Sequence, residues 1–425
     1  MSARTTTPWP LVALFTAGYL AAYLLPTTVG RLDAGLPLSA TQAGSLGSAL
    51  LLSSAAAGFV LASRVDRIGP RRLARAGLLL AAAGYGTAAL TTSLPVVVAG
   101  AIVGGFGSGT ATTVAAAGIA AQSDAHRVTA HGLLGVSALA GTVYLTVPHL
   151  GPGHGLPLAA IALTALLVWP TTGRLPTHAH TTPLTPRPTT DRRLPHLRPG
   201  LLLAAAMLCW SLAQNSLWGV SGRIGLTQAG LTEVTVGVVF AVALGAGLLG
   251  VLAAGALGPR LGRALPIGAG TAVIAGCIAL SATATDLTTF ATGEIAWNTL
   301  YPIVLSYVLG LAASLDQRGR WAVFVGSASS LGTAAGPLAG SVLAAQAGFP
   351  AMGAILAVGL LVLTLPMTAV ALHTDGRRTR APHHLHPVVE IPLDLDAHAQ
   401  SPSIRQAYDT AGPRQAAAAP GPGTT

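Results

Sequence analysis

Long stretches without a charged residue are the feature that most constrains the fold of this chain. Residues 42–63 and residues 78–109 contain no Asp, Glu, Lys or Arg, and similar apolar runs recur along the sequence. Only 8% of the 425 residues are charged, whereas about 25% is usual in soluble proteins. Runs of this length and composition cross a bilayer, so the sequence predicts a polytopic membrane protein.

The spans are expected to be α-helices. A backbone in hydrocarbon must satisfy its polar groups internally, which leaves helices or a closed barrel. The apolar runs are about 20 residues long and lack the strict alternation of barrel strands. We therefore predict an all-α membrane protein. The twelve predicted spans cover residues 9–30, 41–63, 72–92, 95–121, 128–149, 154–171, 199–222, 232–257, 264–285, 288–313, 320–345 and 350–373.

Charge and cysteine content exclude several other classes. The net charge of +10 comes from arginine alone, because the chain has no lysine. No soluble domain is predicted that could carry a basic face, so nucleic acid is not expected as a partner. Cys209 and Cys277 lie in apolar runs and are expected to be buried thiols. We expect no cofactor, no metal and a monomer, since the tail histidines at 383–386 form a weak metal site at best.

Arginine falls almost entirely on one side of the predicted topology. All but two of the 23 arginines lie in the loops and termini of that side. Positive residues favour the cytoplasmic side, so we place both termini in the cytoplasm and the chain in the cell membrane. The two exceptions, Arg31 and Arg223, lie at outer span ends near Asp33. We interpret these three residues as exposed loop charges, with an outer gate as the alternative.

A charged turn after the second span has a second copy after the eighth. The first copy reads Ala-Ser-Arg-Val-Asp-Arg-Ile-Gly-Pro-Arg-Arg over residues 62–72. The second reads Gly-Ala-Leu-Gly-Pro-Arg-Leu-Gly-Arg over residues 255–263. Superimposing Gly69 on Gly262 sets an offset of 193 residues, and the same offset brings most spans of the two halves into register. This pattern predicts two parallel six-helix bundles, an arrangement typical of transporters.

The duplication divides the chain into four predicted parts. Residues 1–171 form the first six-helix bundle, and residues 199–373 form the second. Residues 172–198 are rich in Thr, Pro, His and Arg and are predicted to be a cytoplasmic linker. Residues 374–425 are polar and rich in Pro and Ala, and are predicted to be a disordered cytoplasmic tail.

Twelve spans in two sixes, a long central loop and the charged turn resemble the major facilitator superfamily over about residues 9–373. The first turn fits the family pattern G-x-x-x-D-R-x-G-R-R except at Ala62 and Pro70. The second turn keeps the family's glycines and arginines but has Pro259 in place of the acid. The resemblance implies a transporter whose two bundles rock around a central cavity.

The resemblance also implies that these turns latch the halves together in one of the alternating states. Gly69 allows the tight reversal between helices. Asp124 and Asp316 end spans four and ten near the turns, and we predict that Asp124 pairs with Arg67 or Arg71. Asp316 is predicted to pair with Arg260 or Arg263, and ordinary solvated loop charges are the alternative. The complete predicted latch comprises Asp66, Arg67, Gly69, Arg71, Arg72, Asp124, Arg260, Gly262, Arg263 and Asp316.

Glu294 is the one acid that lies clearly within a predicted span. Acids in hydrocarbon are costly and indicate function. Trp297, Asn298 and Tyr301 follow it at i+3, i+4 and i+7 and share its helix face. That face is predicted to line the cavity, where Glu294 would carry a coupling proton or pair with a cationic solute. The alternative is an interfacial residue that reaches water near the outer surface.

Aromatic and amide side chains on two other spans complete the predicted cavity. Aromatic walls with a few amides and one carboxylate suit a small, partly apolar organic solute. Interfacial belts and helix packing are the alternative for the aromatic residues. The residues concerned are Trp210, Gln214, Asn215 and Trp218 on span seven, and Tyr19 and Tyr23 on span one.

Glycine-rich runs at residues 100–109 and 332–340 are interpreted as sites of close helix packing. Proton-coupled exporters of the family often carry an arginine where this chain has Ala101. Their Gly-Pro motif belongs in span five, whereas this chain has Gly336-Pro337 in span eleven. The resemblance therefore leaves the direction of transport open.

Together these features predict a secondary active transporter that works by alternating access. The first hypothesis is an antiporter that exports a drug-like or metabolite compound in exchange for protons. The second is proton-coupled uptake of an organic acid or another small metabolite. A membrane-embedded enzyme would show clustered catalytic residues within spans, and a sensor would carry a folded output domain. Neither feature is present, so both remain remote alternatives.

Overall fold

The computed structural model describes residues 8–176, 194–257, 261–316 and 319–380, with side chains described up to residue 374. These residues form helices and connecting turns without a β-strand. Most of the predicted linker and of the predicted tail lies outside the described residues.

Twelve membrane-spanning segments are present in the described chain. Ten helices are long and apolar enough to cross a membrane, and a bent helix pair at the start makes an eleventh. The last of the ten breaks at Gly348, where φ is 79°, and so supplies two spans. The spans are α1 (Trp9–Tyr23 and Leu25–Gly35), α2 (Ala40–Leu61), α3 (Pro70–Leu90), α4 (Leu94–Ala120), α5 (Ala125–Thr146), α6 (Leu156–Val168), α7 (Leu197–Arg223), α8 (Glu233–Leu257), α9 (Ala264–Ala282), α10 (Leu287–Ser314), α11 (320–347) and α12 (349–380).

The predicted spans are confirmed, and most of their ends shift by a few residues. Local caps account for part of the shift. Ser39 and Gln42 form a capping box that starts α2, and the side chain of Asp124 caps α5. The first span continues five residues past its predicted end, and the last helix continues to Arg380, seven residues into the predicted tail.

The first span is bent by 48° between its two helical segments. Pro26 follows the bend, and a proline has no N–H to donate to the carbonyl four residues earlier. That carbonyl belongs to Ala22, and it accepts a hydrogen bond from Nε1 of Trp218 in α7 at 3.2 Å. The carbonyl of Tyr23 accepts from the hydroxyl of Tyr144 in α5 at 2.6 Å. The bend therefore offers two backbone acceptors to side chains of other helices.

Small residues allow close packing within each half. In the first half α4 packs against α1, α2 and α3. A Cβ on Gly105 or Gly109 would clash with the backbone of α2, and one on Gly107 would clash with α3. In the second half a Cβ on Gly336 or Gly340 of α11 would clash with α7. The packing interpretation of both glycine runs is thus confirmed.

The two halves touch near the end of the bundle that carries Arg31, Asp33, Arg223 and Glu233, hereafter the Arg31 end. The second segment of α1 packs against α7, and α5 packs against α8. Helix α2 of the first half also contacts α11 of the second half. There the hydroxyl of Ser48 accepts a hydrogen bond from the backbone N–H of Leu338 at 2.9 Å.

The opposite end carries the charged turns, hereafter the Asp66 end. Gly69 has a φ of 97° and Gly262 a φ of 65°, a region that residues with a Cβ rarely adopt. Both glycines therefore do what the turn was predicted to need. A positive φ at two glycines 193 residues apart also fits the predicted duplication.

Candidate functional site

Glu294 lies fully buried in α10, between α7 and α9. Its Oε1 accepts hydrogen bonds from Oγ of Ser221 at 2.8 Å and Oγ of Ser281 at 2.6 Å. Its Oε2 has no hydrogen-bond partner, and Glu294 forms no ion pair within the described part of the chain. The alternative of an interfacial residue that reaches water is wrong, because the side chain has no exposure.

The predicted aromatic and amide faces of α7 and α10 meet. Nε1 of Trp297 donates to Oε1 of Gln214. The ring of Trp297 packs against Trp218 with centroids 5.6 Å apart. Tyr301 stacks on Trp210 with centroids 5.1 Å apart. These contacts join the two helices along one continuous face.

Exposure divides this face into two groups. The three tryptophans and Gln214 are buried, so they do not line open space in this conformation. Nε2 of Gln214 and Nε1 of Trp210 are buried without a hydrogen-bond partner in the described part of the chain. Asn215, Asn298 and Tyr301 are half-buried. The prediction that the whole face lines a cavity is therefore wrong for its most aromatic members, which pack between helices instead.

The two asparagines have local hydrogen-bond partners. Nδ2 of Asn298 donates to the carbonyl of Glu294 at 2.9 Å. Nδ2 of Asn215 donates to the carbonyl of Ser211 at 2.9 Å and to Oγ1 of Thr333 in α11 at 3.2 Å. Asn215 thus fixes α7 to α11.

The span-one tyrosines differ in their surroundings. Tyr19 is 39% exposed and packs on Phe15 at a centroid distance of 4.4 Å. Tyr23 is half-buried beside the bend in α1. Tyr144, which the sequence analysis missed, is fully buried and packs on Phe240 across the two halves. No motif marks Tyr144, because its role depends on the bend that presents the Tyr23 carbonyl.

Arg31 is buried at the junction of the halves, so its interpretation as an exposed loop charge is wrong. Only 5% of the residue is exposed. Its Nε lies 2.6 Å from Oε1 of Glu233, the first residue of α8. Its two terminal nitrogens donate to three backbone carbonyls between α5 and α6. Those carbonyls belong to Val147, Gly151 and Gly153.

A second ion pair joins the two halves, and here the second half contributes the arginine and the first half the acid. Nε of Arg223, the last residue of α7, lies 3.1 Å from Oδ2 of Asp33 in α1. The guanidinium of Arg223 also lies over the ring of Phe349, 5.4 Å from its centroid. Both side chains are mostly buried, so the interpretation as exposed loop charges is wrong here too. One arginine from each half therefore binds an acid of the other.

Glu233 was missed because it looked like the polar start of a span. The offset of 193 places Arg31 one residue from Arg223 and so relates the two arginines, but it does not mark Glu233. A cavity of about 120 Å³ lies beside the Arg31–Glu233 pair, between α1, α5, α7 and α8. Thr27, Tyr144 and Gly222 are among its lining residues.

The predicted latch residues at the Asp66 end are arranged differently. Asp66, Arg67 and Arg72 are exposed, and Asp66 forms no ion pair with a described residue. Oδ1 of Asp124 accepts from the backbone N–H of Arg127 at 3.0 Å. In this conformation Asp124 therefore caps α5, and no described ion pair joins it to either arginine with which it was predicted to pair.

The second copy of the latch is only partly described. Asp316 pairs with Arg320 at 2.7 Å. Arg263 donates to Oγ of Ser314 at 2.6 Å. Arg260 lies outside the described residues.

Comparisons with known proteins identify the family. The sequence profile of the Major Facilitator Superfamily matches residues 9–314. No curated protein matches the chain. Solved structures of several transporters share its fold.

The human organic anion transporter MFSD10 (TETRAN) superimposes with a TM-score of 0.60 at 16% identity, over 86% of this chain and 100% of that one. The nucleoside transporter NupG gives a TM-score of 0.67 at 13% identity, over 85% and 99% of the two chains. The D-xylose-proton symporter gives 0.68 at 17% identity, over 86% and 97%.

These likenesses show the fold, and the profile match covers more than half of the sequence. They indicate a transporter of small solutes and not an enzyme. The chain belongs to the Major Facilitator Superfamily.

Proposed function

We propose that this protein is a proton-coupled transporter of small, partly apolar organic solutes, and that Glu294 carries the coupling proton. The observation that carries the proposal is the environment of Glu294. Its carboxyl is fully buried, receives two hydroxyl hydrogen bonds and has no cationic partner among the described residues.

The charge of a buried carboxylate must be compensated by its surroundings. A buried ionised group needs an opposite charge or several strong donors, because desolvation of a lone charge is very costly. Each hydroxyl hydrogen bond returns only about 1 kcal/mol net, or about twice that when its acceptor is charged. A protonated carboxyl fits this site better, since it has no charge to compensate and its carbonyl oxygen can accept both hydroxyl hydrogen bonds. Release of that proton then requires a conformation that admits water or solute to Glu294.

The contacts at the two ends of the molecule suggest which state of the transport cycle the structure represents. We propose that the Arg31 end faces outward, as the arginine distribution predicts, and that both termini lie in the cytoplasm. The crossed ion pairs and the contacts of α1 with α7 then close the outer side. In such an inward-facing state the cytoplasmic latch is expected to be open, which agrees with the absence of an ion pair between Asp66 and any described residue.

Three half-buried polar side chains on α7 and α10 bear on the class of solute. The half-buried Asn215, Asn298 and Tyr301 offer amide and hydroxyl groups beside a packed aromatic wall, which suits a small organic solute. Similar folds carry an organic anion, a nucleoside and xylose with a proton. Export of a drug-like or metabolite compound in exchange for protons is our first assignment. Proton-coupled uptake of an organic acid or another small metabolite is the second.

Flux in reconstituted vesicles tests this proposal. Vesicles with the purified protein would be given ethidium, benzoate, uridine or xylose, with and without an imposed pH gradient. Empty vesicles serve as the control. An exchanger is expected to concentrate its solute inside vesicles whose lumen is acidic, and a symporter inside vesicles whose lumen is alkaline. A solute flux that is the same with and without a pH gradient, whichever side is acidic, would contradict proton coupling.

A further inference from the structure

At the Asp66 end two arginines of α3 face the end of α6. Arg71 and Arg75 lie four residues apart, on one face of the first turns of α3. Nε of Arg75 donates to Oγ1 of Thr172 at 3.3 Å, and its guanidinium lies over the ring of Trp169, 5.3 Å from the centroid.

Both guanidinium groups converge on one spot beside Gly173. A Cβ built on Gly173 would lie 3.5 Å from Nη2 of Arg71 and 3.9 Å from Nη2 of Arg75. Because glycine has no side chain, the space between the two groups and the backbone stays open. The spot is therefore a small cradle walled by two positive charges.

The charges of this cradle are not balanced within the described chain. Neither Arg71 nor Arg75 forms an ion pair with a described residue. Like charges at i and i+4 repel each other on a helix, and the first turn of α3 adds the positive end of the helix dipole. Such an arrangement is unfavourable by itself and becomes favourable when an anion binds.

Unsatisfied donors give a second, independent indication of a ligand. Nε of Arg71 and Nε1 of Trp169 are buried and have no hydrogen-bond partner among the residues that the structure describes. Buried N–H groups are nearly always paired in folded proteins. Two orphan donors beside two uncompensated guanidinium groups match the acceptor-rich oxygens of a phosphate.

The surroundings of the cradle favour a lipid as the source of that phosphate. Leu163, Leu166 and Leu167 are exposed on α6 just before Trp169. Leu79 and Leu80 are exposed on α3, one to two turns beyond Arg75. In a membrane protein such surfaces face acyl chains, and the cradle lies at the interfacial end of them. A free phosphate ion would make no contact with these exposed leucines.

We propose that Arg71, Arg75, Trp169 and the gap at Gly173 form a binding site for the phosphate of an anionic phospholipid. The headgroup bridges the two guanidinium groups, and the acyl chains follow α3 and α6 into the bilayer. Arginine provides paired donors that fit phosphate oxygens, and basic residues at the membrane surface attract anionic lipids. The occupied site holds the charged turn against the end of α6.

Lipid binding to the purified full-length protein tests the proposal. Native mass spectrometry would follow titration with dioctanoyl-phosphatidylglycerol, dioctanoyl-phosphatidylcholine and inorganic phosphate. We expect phosphatidylglycerol to bind about tenfold more weakly to Arg71→Gln/Arg75→Gln than to the wild type, as loss of charge-assisted hydrogen bonds predicts. Phosphatidylcholine and inorganic phosphate should bind the wild type at least about tenfold more weakly than phosphatidylglycerol.

Two further variants make the test specific. Arg64→Gln/Arg198→Gln removes two exposed arginines placed at the same side of the membrane, and should keep affinity within about twofold of the wild type. Gly173→Leu fills the cradle without removing charge and should weaken binding as the arginine variant does. Wild-type affinity in both cradle variants would overturn the site. Equal binding of phosphatidylcholine would overturn its charge selectivity, and equal binding of inorganic phosphate would overturn the assignment to lipid.

Discussion

Arg31 and Glu294 are buried ionisable residues that differ in how many hydrogen-bond partners surround them. The guanidinium of Arg31 is satisfied by Glu233 and three backbone carbonyls. Glu294 can change its charge, and it has only two hydroxyl donors. The sequence predicted Glu294 because an acid within an apolar span is conspicuous. It could not predict the burial of Arg31, because the carbonyl partners lie 116 to 122 residues further along the chain.

The two gate arginines should differ in their effect on stability. Arg31→Gln leaves a partly exposed Glu233 and three carbonyls without their donor, and should lower the free energy of unfolding by about 3 kcal/mol. Arg223→Gln breaks one mostly buried pair and one ring contact, and should cost about 1 kcal/mol. Thermal unfolding in detergent, followed by tryptophan fluorescence, measures both. Equal loss in the two variants would contradict the larger contribution assigned to Arg31 through its three carbonyl partners.

At the scale of elements, the sequence predicted where spans lie but not where they break. Hydropathy fixes the position of a span, because the bilayer selects apolar runs of about 20 residues. The break in α1 depends on whether side chains of other helices bind the carbonyl of Ala22, which Pro26 leaves free, and the carbonyl of Tyr23, which lies at the bend. Trp218 and Tyr144 do so, from α7 and α5. Pro26 was a visible signal, whereas its partners become known only from the packing of distant helices.

The contact of α2 with α11 should control access from the Arg31 end. A Cβ on Gly44 would clash with the side chain of Ser341 and the carbonyl of Pro337, so Gly44→Ala should push these helices apart. We expect a cysteine at Thr27, in the cavity behind the ion pairs, to react several-fold faster with a membrane-impermeant maleimide. The measurement requires a background with both native cysteines replaced by serine.

Gly359→Ala is the matched control for this prediction. Gly359 is exposed in α12, and a Cβ there meets nothing within 4 Å. Its substitution should leave the labelling rate unchanged. A Gly44→Ala rate equal to that of the control would show that this contact does not hold the Arg31 end closed.

At the scale of the whole molecule, the halves differ in how much each end holds them together. Crossed ion pairs and helix contacts join them at the Arg31 end. At the Asp66 end, Asp66 and Arg67 are exposed and in no described ion pair. An arginine from each half in these ion pairs is what the predicted duplication leads one to expect. The sequence could not predict which end of the bundle is closed in the structure. A transporter that works by alternating access must be able to close either end.

The central claim is that Glu294 carries the proton that moves with the solute. Asp286 supplies the control, because it caps the same helix and is exposed. Hydrogen bonds from the backbone N–H of Thr289, and then from its hydroxyl, hold the pKa of Asp286 below its ordinary value. It therefore stays ionised at neutral pH and is no proton carrier. Asp286→Asn keeps a good cap while it removes the charge.

The decisive measurement is solute-driven proton movement in vesicles that contain a pH-sensitive dye. The solute is the one found to be transported in the flux assay. Wild type and Asp286→Asn should shift the internal pH when a solute gradient is imposed. Glu294→Gln should still exchange labelled for unlabelled solute but produce no pH shift, a loss of at least about tenfold in proton flux. A wild-type pH shift in Glu294→Gln would contradict the account.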